Sequence, residues 1–89
     1  MKVKDKIDIS NDHSIEWGDS SWGNGADVSI RNRYDNKVNG GFNVRGSSEL
    51  PWYDFNNMII ESINRNHFSK SEIFEIKKSM LNFFKIELY

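Results

Sequence analysis

Cysteine is absent from this chain of 89 residues, so neither disulfides nor thiolate metal sites are available, and a small fold must hold by packing or oligomerisation. That absence fits an intracellular setting. No apolar run approaches the roughly 20 residues a membrane helix needs. The opening MKVKDKIDIS is basic but has no apolar signal-peptide region, so a soluble, cytoplasmic chain that does not enter the membrane is expected. Alanine is nearly missing and proline occurs once, whereas Asn, Lys and Ile are favoured. Hydrophobic residues reach only 37%, but 13% of the chain is aromatic, and each buried ring removes roughly 150 to 250 Å² from water. A chain of this size buries roughly 60 to 65% of its unfolded surface, which allows one domain over residues 1–89 and one core.

Catalytic signatures are missing too. Gly18-Asp19-Ser20-Ser21-Trp22 fails as a nucleophile elbow because Trp22 stands where a glycine is needed, leaving a Ser-rich loop. Asp8, Ser10 and Asp12 open like a calcium loop. However, His13 replaces the glycine of the sharp turn and Asp19 the closing bidentate Glu, so a solvated acidic hairpin is the better reading. His13 and His67 each lack a histidine four residues away, and no Gly-rich run precedes a helix as a phosphate-binding loop does. The expectation is a protein that is not an enzyme, with no catalytic residues, no metal and no cofactor.

What is present is a charge polarity along the chain. Residues 28 to 46 hold Arg31, Arg33, Lys37 and Arg45 against Asp35, a net of about +3, while residues 1 to 27 carry about −3. The apolar pattern has period two through this region. Val3, Ile7 and Ile9, then Ile15 and Trp17 after Asn11-Asp12-His13, predict a first hairpin. GDSSWGNG over 18–25 predicts a loop that contains Trp22. Val28, Ile30 and Tyr34 alternate with Arg31 and Arg33, so the apolar residues are expected to face a core and the arginines to face outward. Phe42 and Val44 predict the returning strand of a second hairpin over 26–45, with Asn36 in the turn, Val38 in the strand and a bulge at Gly40-Gly41.

Beyond residue 46 the period becomes helical, dividing the domain into a β-rich part, 1–46, and a helical part, 47–89. Ser48 followed by Pro51 predicts a helix start, and Trp52, Phe55, Ile59 and Ile63, widened by Met58, make a stripe expected to be buried. Asn64-Arg65-Asn66-His67 ends that helix, and Ser69-Lys70-Ser71-Glu72 is a capping box opening the next. Ile73, Ile76, Met80 and Phe84 form one stripe of the second helix; Phe74, Leu81 and Leu88 form another, which suits either packing within the chain or a homodimer. The predicted fold is α+β: an antiparallel sheet of about four strands in two hairpins, followed by an antiparallel pair of helices on one face.

Three uses of the basic hairpin follow. Arg31, Arg33 and Arg45 can pair with carboxylates of the first hairpin, contact phosphates of a nucleic acid, or meet a protein partner together with Trp22, Tyr34 and Lys37. Overall the chain is slightly acidic, at −1, which disfavours nucleic acid. A very short, cysteine-free, Asn/Lys/Ile-rich domain without catalytic apparatus looks like the small proteins of phages and mobile elements, such as anti-CRISPR proteins, that bind and block a larger machine. The expected function is therefore a protein-binding inhibitor contacting its partner through Trp22, Arg31, Arg33, Tyr34, Lys37 and Arg45. A nucleic-acid-binding accessory protein and a toxin-immunity protein or antitoxin are the alternatives.

Overall fold

A computed structural model describes residues 1–23 and 27–84. Four strands, β1 (Lys2–Ser10), β2 (His13–Asp19), β3 (Val28–Tyr34) and β4 (Ser48–Pro51), precede two helices, α1 (Trp52–Asn64) and α2 (Lys70–Phe84). The strands form one sheet in the order β1-β2-β3-β4, antiparallel throughout. The fold is thus the predicted α+β sheet followed by two helices. The chain divides into two compact units, Met1–Asn56 and Asn57–Tyr89.

In the first unit, Asn11-Asp12 turns β1 into β2, and the register places Lys6 opposite Glu16 and Ile7 opposite Ile15. Two register shifts, at Val3/Asp5 and Asp8/Ser10, bulge β1, whose nine residues are all exposed at the edge of the sheet. β2 and β3 pair without a shift, setting Glu16 against Arg31 and Trp17 against Ile30.

The fourth strand is not the one the apolar pattern suggested. Phe42 makes only an isolated bridge with Asp35, and Val44 belongs to no strand. Val38 is 97% exposed in the turn and not part of a strand, because Asn36 closes the loop itself, its carbonyl accepting from Gly40 N–H and its N–H donating to Gly41 O. Gly40, at φ 72°, supplies the left-handed residue this turn requires. Asn43 then turns the chain again, its side-chain oxygen accepting from Gly46 N–H. Ser47 takes a strand's place beside Tyr34, its hydroxyl accepting from Tyr34 N–H and donating to Tyr34 O. Pairing resumes only at Ser48, so Ser48–Pro51 is a strand and not a helix start, and the sheet extends past residue 46. Pro51 is tolerated because β4 is an edge strand.

The helix signals past Pro51 are seen in the structure. Helix α1 ends in a Schellman motif around Asn66, whose φ of 61° is left-handed: His67 N–H donates to Ser62 O and Asn66 N–H to Ile63 O. Asn serves here because its short polar side chain tolerates that conformation better than others. The capping box forms as read, Ser69 N–H donating to Glu72 Oε1 at 2.7 Å and Glu72 N–H to Ser69 Oγ at 3.1 Å. The Ser69 backbone bond, with that from its hydroxyl, lowers the Glu72 pKa. Burial is less than the stripes implied. Neither helix contains a buried residue among those described; Phe55, Ile59, Ile73 and Ile76 are half-buried, whereas Trp52, Met58, Ile63, Met80 and Phe84 are exposed. Of the second stripe, Phe74 is exposed and Leu81 half-buried, and Leu88 lies outside the described residues.

Candidate functional site

Alternation assigns the sheet's two faces. Ile7, Ile15, Trp17, Ile30 and Leu50 share one; Lys6, Ser14, Glu16, Gly18, Ser29, Arg31, Arg33 and Glu49 share the other. The charged face is the better shielded of the two. Glu16 is 3% exposed and Arg31 9%, with Ser14, Gly18 and Ser29 also buried. On the apolar face Ile30 is buried, Ile15, Trp17 and Leu50 are half-buried, and Ile7, Val28 and Tyr34 are exposed. Ile30 is buried as expected, but the expectation that the arginines face outward and that Val28 and Tyr34 face a core is corrected here; the charged side chains are shielded because they find partners on neighbouring strands.

Register produces the pairing. One row across all four strands reads Lys6, Glu16, Arg31, Glu49, alternating in sign. Arg31 donates from Nε to Glu16 Oε1 at 2.7 Å and approaches the same oxygen with Nη2 at 2.7 Å. Arg33 reaches Glu16 Oε2 from Nη1 at 3.4 Å and donates from Nε to Asp35 Oδ1 at 2.9 Å. That bond to Asp35, outweighing partial burial, raises the Arg33 pKa. Phe42 closes the cluster, with both guanidinium carbons 4.5 Å from its ring centroid, within cation–π range. Among the described residues no buried side-chain nitrogen or oxygen lacks a partner. Beside the cluster, Lys6, Asp8, His13, Ser14, Glu16, Arg33 and Asp35 line an open cleft of about 530 Å³ in which charges of both signs already face one another.

Glu49 anchors the other end of the row. It accepts from Ser21 N–H at 3.0 Å, Ser21 Oγ at 2.6 Å and Ser29 Oγ at 3.0 Å, and the Met1 amino nitrogen lies 4.0 Å away. Burial works to raise its pKa, but these hydrogen bonds and the amino charge together lower it. A depressed native pKa means that the unfolded chain binds more protons in acid. The contribution of Glu49 is fully present above its unfolded pKa of about 4.3 and is lost as pH falls through the lower native value. Urea unfolding of Glu49→Gln is therefore expected to show a stability deficit at pH 7 that narrows below about pH 4. A deficit unchanged across that range contradicts the assignment.

Of the residues singled out from sequence, the structure brings together Arg31 and Arg33 on Glu16 and Phe42 and leaves the others apart from that cluster. Arg31 and Arg33 are engaged with Glu16 and Asp35 in mid-sheet. Tyr34 stacks on His13 with ring centroids 4.2 Å apart and an interplanar angle of 7°, at the end of β3 that leads into the Lys37 turn. Lys37 is a solvated cation 3.8 Å from Asp12, and Arg45 is exposed in the following loop. Trp22 lies past the opposite end of the same strand ladder, beyond Asp19, which pairs with Val28.

There Trp22 meets residues that the sequence reading did not group with it. Trp22, Asp27, Val28, Pro51, Trp52 and Tyr53 line a recess of about 410 Å³. Ser20 Oγ donates to Trp22 O at 2.8 Å and Ser20 N–H to Asp27 O at 2.9 Å, holding the loop's two ends together. β4 runs directly into α1 and delivers Pro51, Trp52 and Tyr53 in succession to the recess. Trp22 is 38% exposed, Trp52 43% and Tyr53 74%. The WY pair after Pro51 is the available signal, although helical spacing sets Trp52 in a stripe expected to be buried and says nothing of Tyr53.

Fold and surface together define a small α+β protein with a self-neutralised charged sheet face and an aromatic recess at one end of the sheet. Comparison of the chain with protein-family models, curated proteins and solved structures finds no match. Among the described residues no helix is long and apolar enough to cross a membrane, and no group of three or more His, Asp or Glu is placed to hold a metal ion.

Proposed function

We propose that this chain is a non-enzymatic protein-binding inhibitor, of the kind phages and mobile elements use against host defence, that acts by covering a surface of a larger partner. The observation that carries the reading is the aromatic recess. Exposed Trp and Tyr side chains gathered around one concavity are the residue types that dominate protein interfaces. Exposure of Trp22, Trp52 and Tyr53 favours a contact there over one along Arg31 and Arg33, whose charges are engaged within the sheet. The same engagement weakens a nucleic-acid reading, since phosphate contacts need cations that are available.

The test is capture of a partner by the immobilised chain, compared with Trp22→Ala and Tyr53→Ala. Both positions are exposed, so the domain is expected to stay folded. Each substitution is expected to weaken a stoichiometric complex by roughly 30-fold, corresponding to about 2 kcal/mol for an interface anchor. Lys37→Glu and Arg45→Glu are expected to matter far less. A partner held equally well by both aromatic variants removes the recess from the interface.

A further inference from the structure

Among the described residues that line the recess, Asp27 is the one acidic or basic residue, and it stands with Trp22, Trp52 and Tyr53. Aromatic faces carry negative electrostatic potential and attract cations within about 6 Å of a ring centroid, Trp most strongly. Three such rings beside a carboxylate form a site of one electrostatic sign, and apolar Val28 and Pro51 complete its wall. A recess built only for an aliphatic side chain has no use for a carboxylate in its lining, because bringing an apolar group against it costs the carboxylate hydration. From this geometry we infer that the recess accepts a cationic side chain, an arginine of the protein partner. This rests on the protein-binding reading above and adds to it the chemistry of the residue that enters.

Arginine fits better than lysine for two physical reasons. Its guanidinium is planar and weakly hydrated, so it stacks on an indole at lower desolvation cost, and its fork can donate to the Asp27 carboxylate while it stacks. This protein already uses such packing inside its own sheet, where Arg31 and Arg33 lie over Phe42. The recess is also the reverse of a phosphate-binding site, since the described residues of its lining include an Asp and no Lys or Arg.

The experiment titrates the full chain with acetyl-Gly-Arg-Gly-amide and with its uncharged citrulline counterpart, following the indole N–H resonances by NMR. Saturable shifts at Trp22 and Trp52, with Trp17 unmoved, are expected for the arginine peptide, at roughly millimolar strength for a single side chain. The citrulline peptide is expected to bind about 10-fold more weakly, and Asp27→Asn to remove most of that preference while leaving the spectrum of the sheet unchanged. Equal shifts by both peptides, or shifts produced only by an acetyl-Gly-Leu-Gly-amide control, overturn the cationic assignment in favour of an apolar one. No shift with any peptide overturns it as well. Should the peptide arm fail while Trp22→Ala still weakens partner capture, the protein-binding reading stands and the arginine falls. Should both fail, the recess is not the interface.

Discussion

Glu16→Ala is expected to cost about 3 to 5 kcal/mol, because it leaves the Arg31 guanidinium buried without its carboxylate and strips Arg33 of one of its two partners. Against a whole stability of order 5 to 15 kcal/mol that loss is a large fraction, and at the lower end of the range it populates the unfolded form at ambient temperature. Urea titration followed by tryptophan fluorescence measures it. The informative companion is the double substitution Glu16→Leu with Arg31→Met, which removes both charges together. It is expected to recover most of the loss, since exchanging a buried ion pair for apolar groups of similar volume is often neutral or stabilising. A single-variant loss below about 1 kcal/mol would mean that the cluster behaves as a surface pair and not as a buried one.

The second large effect concerns a single methyl group. A Cβ added to Gly18 would lie 2.0 Å from the Lys2 carbonyl oxygen, 2.8 Å from its carbon and 2.9 Å from Val3 Cα, all of them backbone atoms that cannot rotate away. β1 approaches β2 this closely beside its first register shift, opposite Val3. Gly18→Ala must therefore push the start of β1 off the sheet, at a cost of about 1 to 3 kcal/mol or more. Hydrogen exchange should show lost amide protection confined to the paired start of β1 and the facing part of β2, with β3 and β4 spared. Unchanged protection there would show that the close approach does not constrain the strand.

These two positions also mark where the sequence could and could not be read. Glu16 and Arg31 stand at alternating positions in strands that the apolar period located correctly, and pairing of arginines with the acidic first hairpin was among the expected outcomes. What alternation cannot supply is the register that puts these residues opposite one another, or the Phe42 ring that lies against them, so alternation alone assigns the charged side to solvent. The fourth strand was misplaced for a related reason. Phe42 and Val44 share the right parity, but the turn chemistry of Asn36, Asn43 and Gly46 outweighs it, and a side-chain mimic at Ser47 delays pairing until residues that resemble a helix start. Where signals are local and unambiguous, as in the Ser69–Glu72 capping box, sequence and structure agree to the residue, and the helix end expected over Asn64–His67 contains the left-handed Asn66. Arg31→Glu with Arg33→Glu, attractive for testing a basic binding patch, would instead place four carboxylates in one cluster, with Glu16 and Asp35, and report on folding.

The arrangement of the sheet's edges has its own consequence for how this protein meets others. β1 offers an outer rim lined by Lys2, Lys4 and Lys6 and kinked by two bulges, while β4, only four residues long, ends on Pro51, which has no N–H to offer. Backbone-to-backbone extension by a foreign strand, the commonest route by which small exposed sheets polymerise, is blocked by charge on one side and cut short on the other. A sheet bordered in this way does not extend strand by strand at its edges, and a contact there goes through side chains instead of backbone.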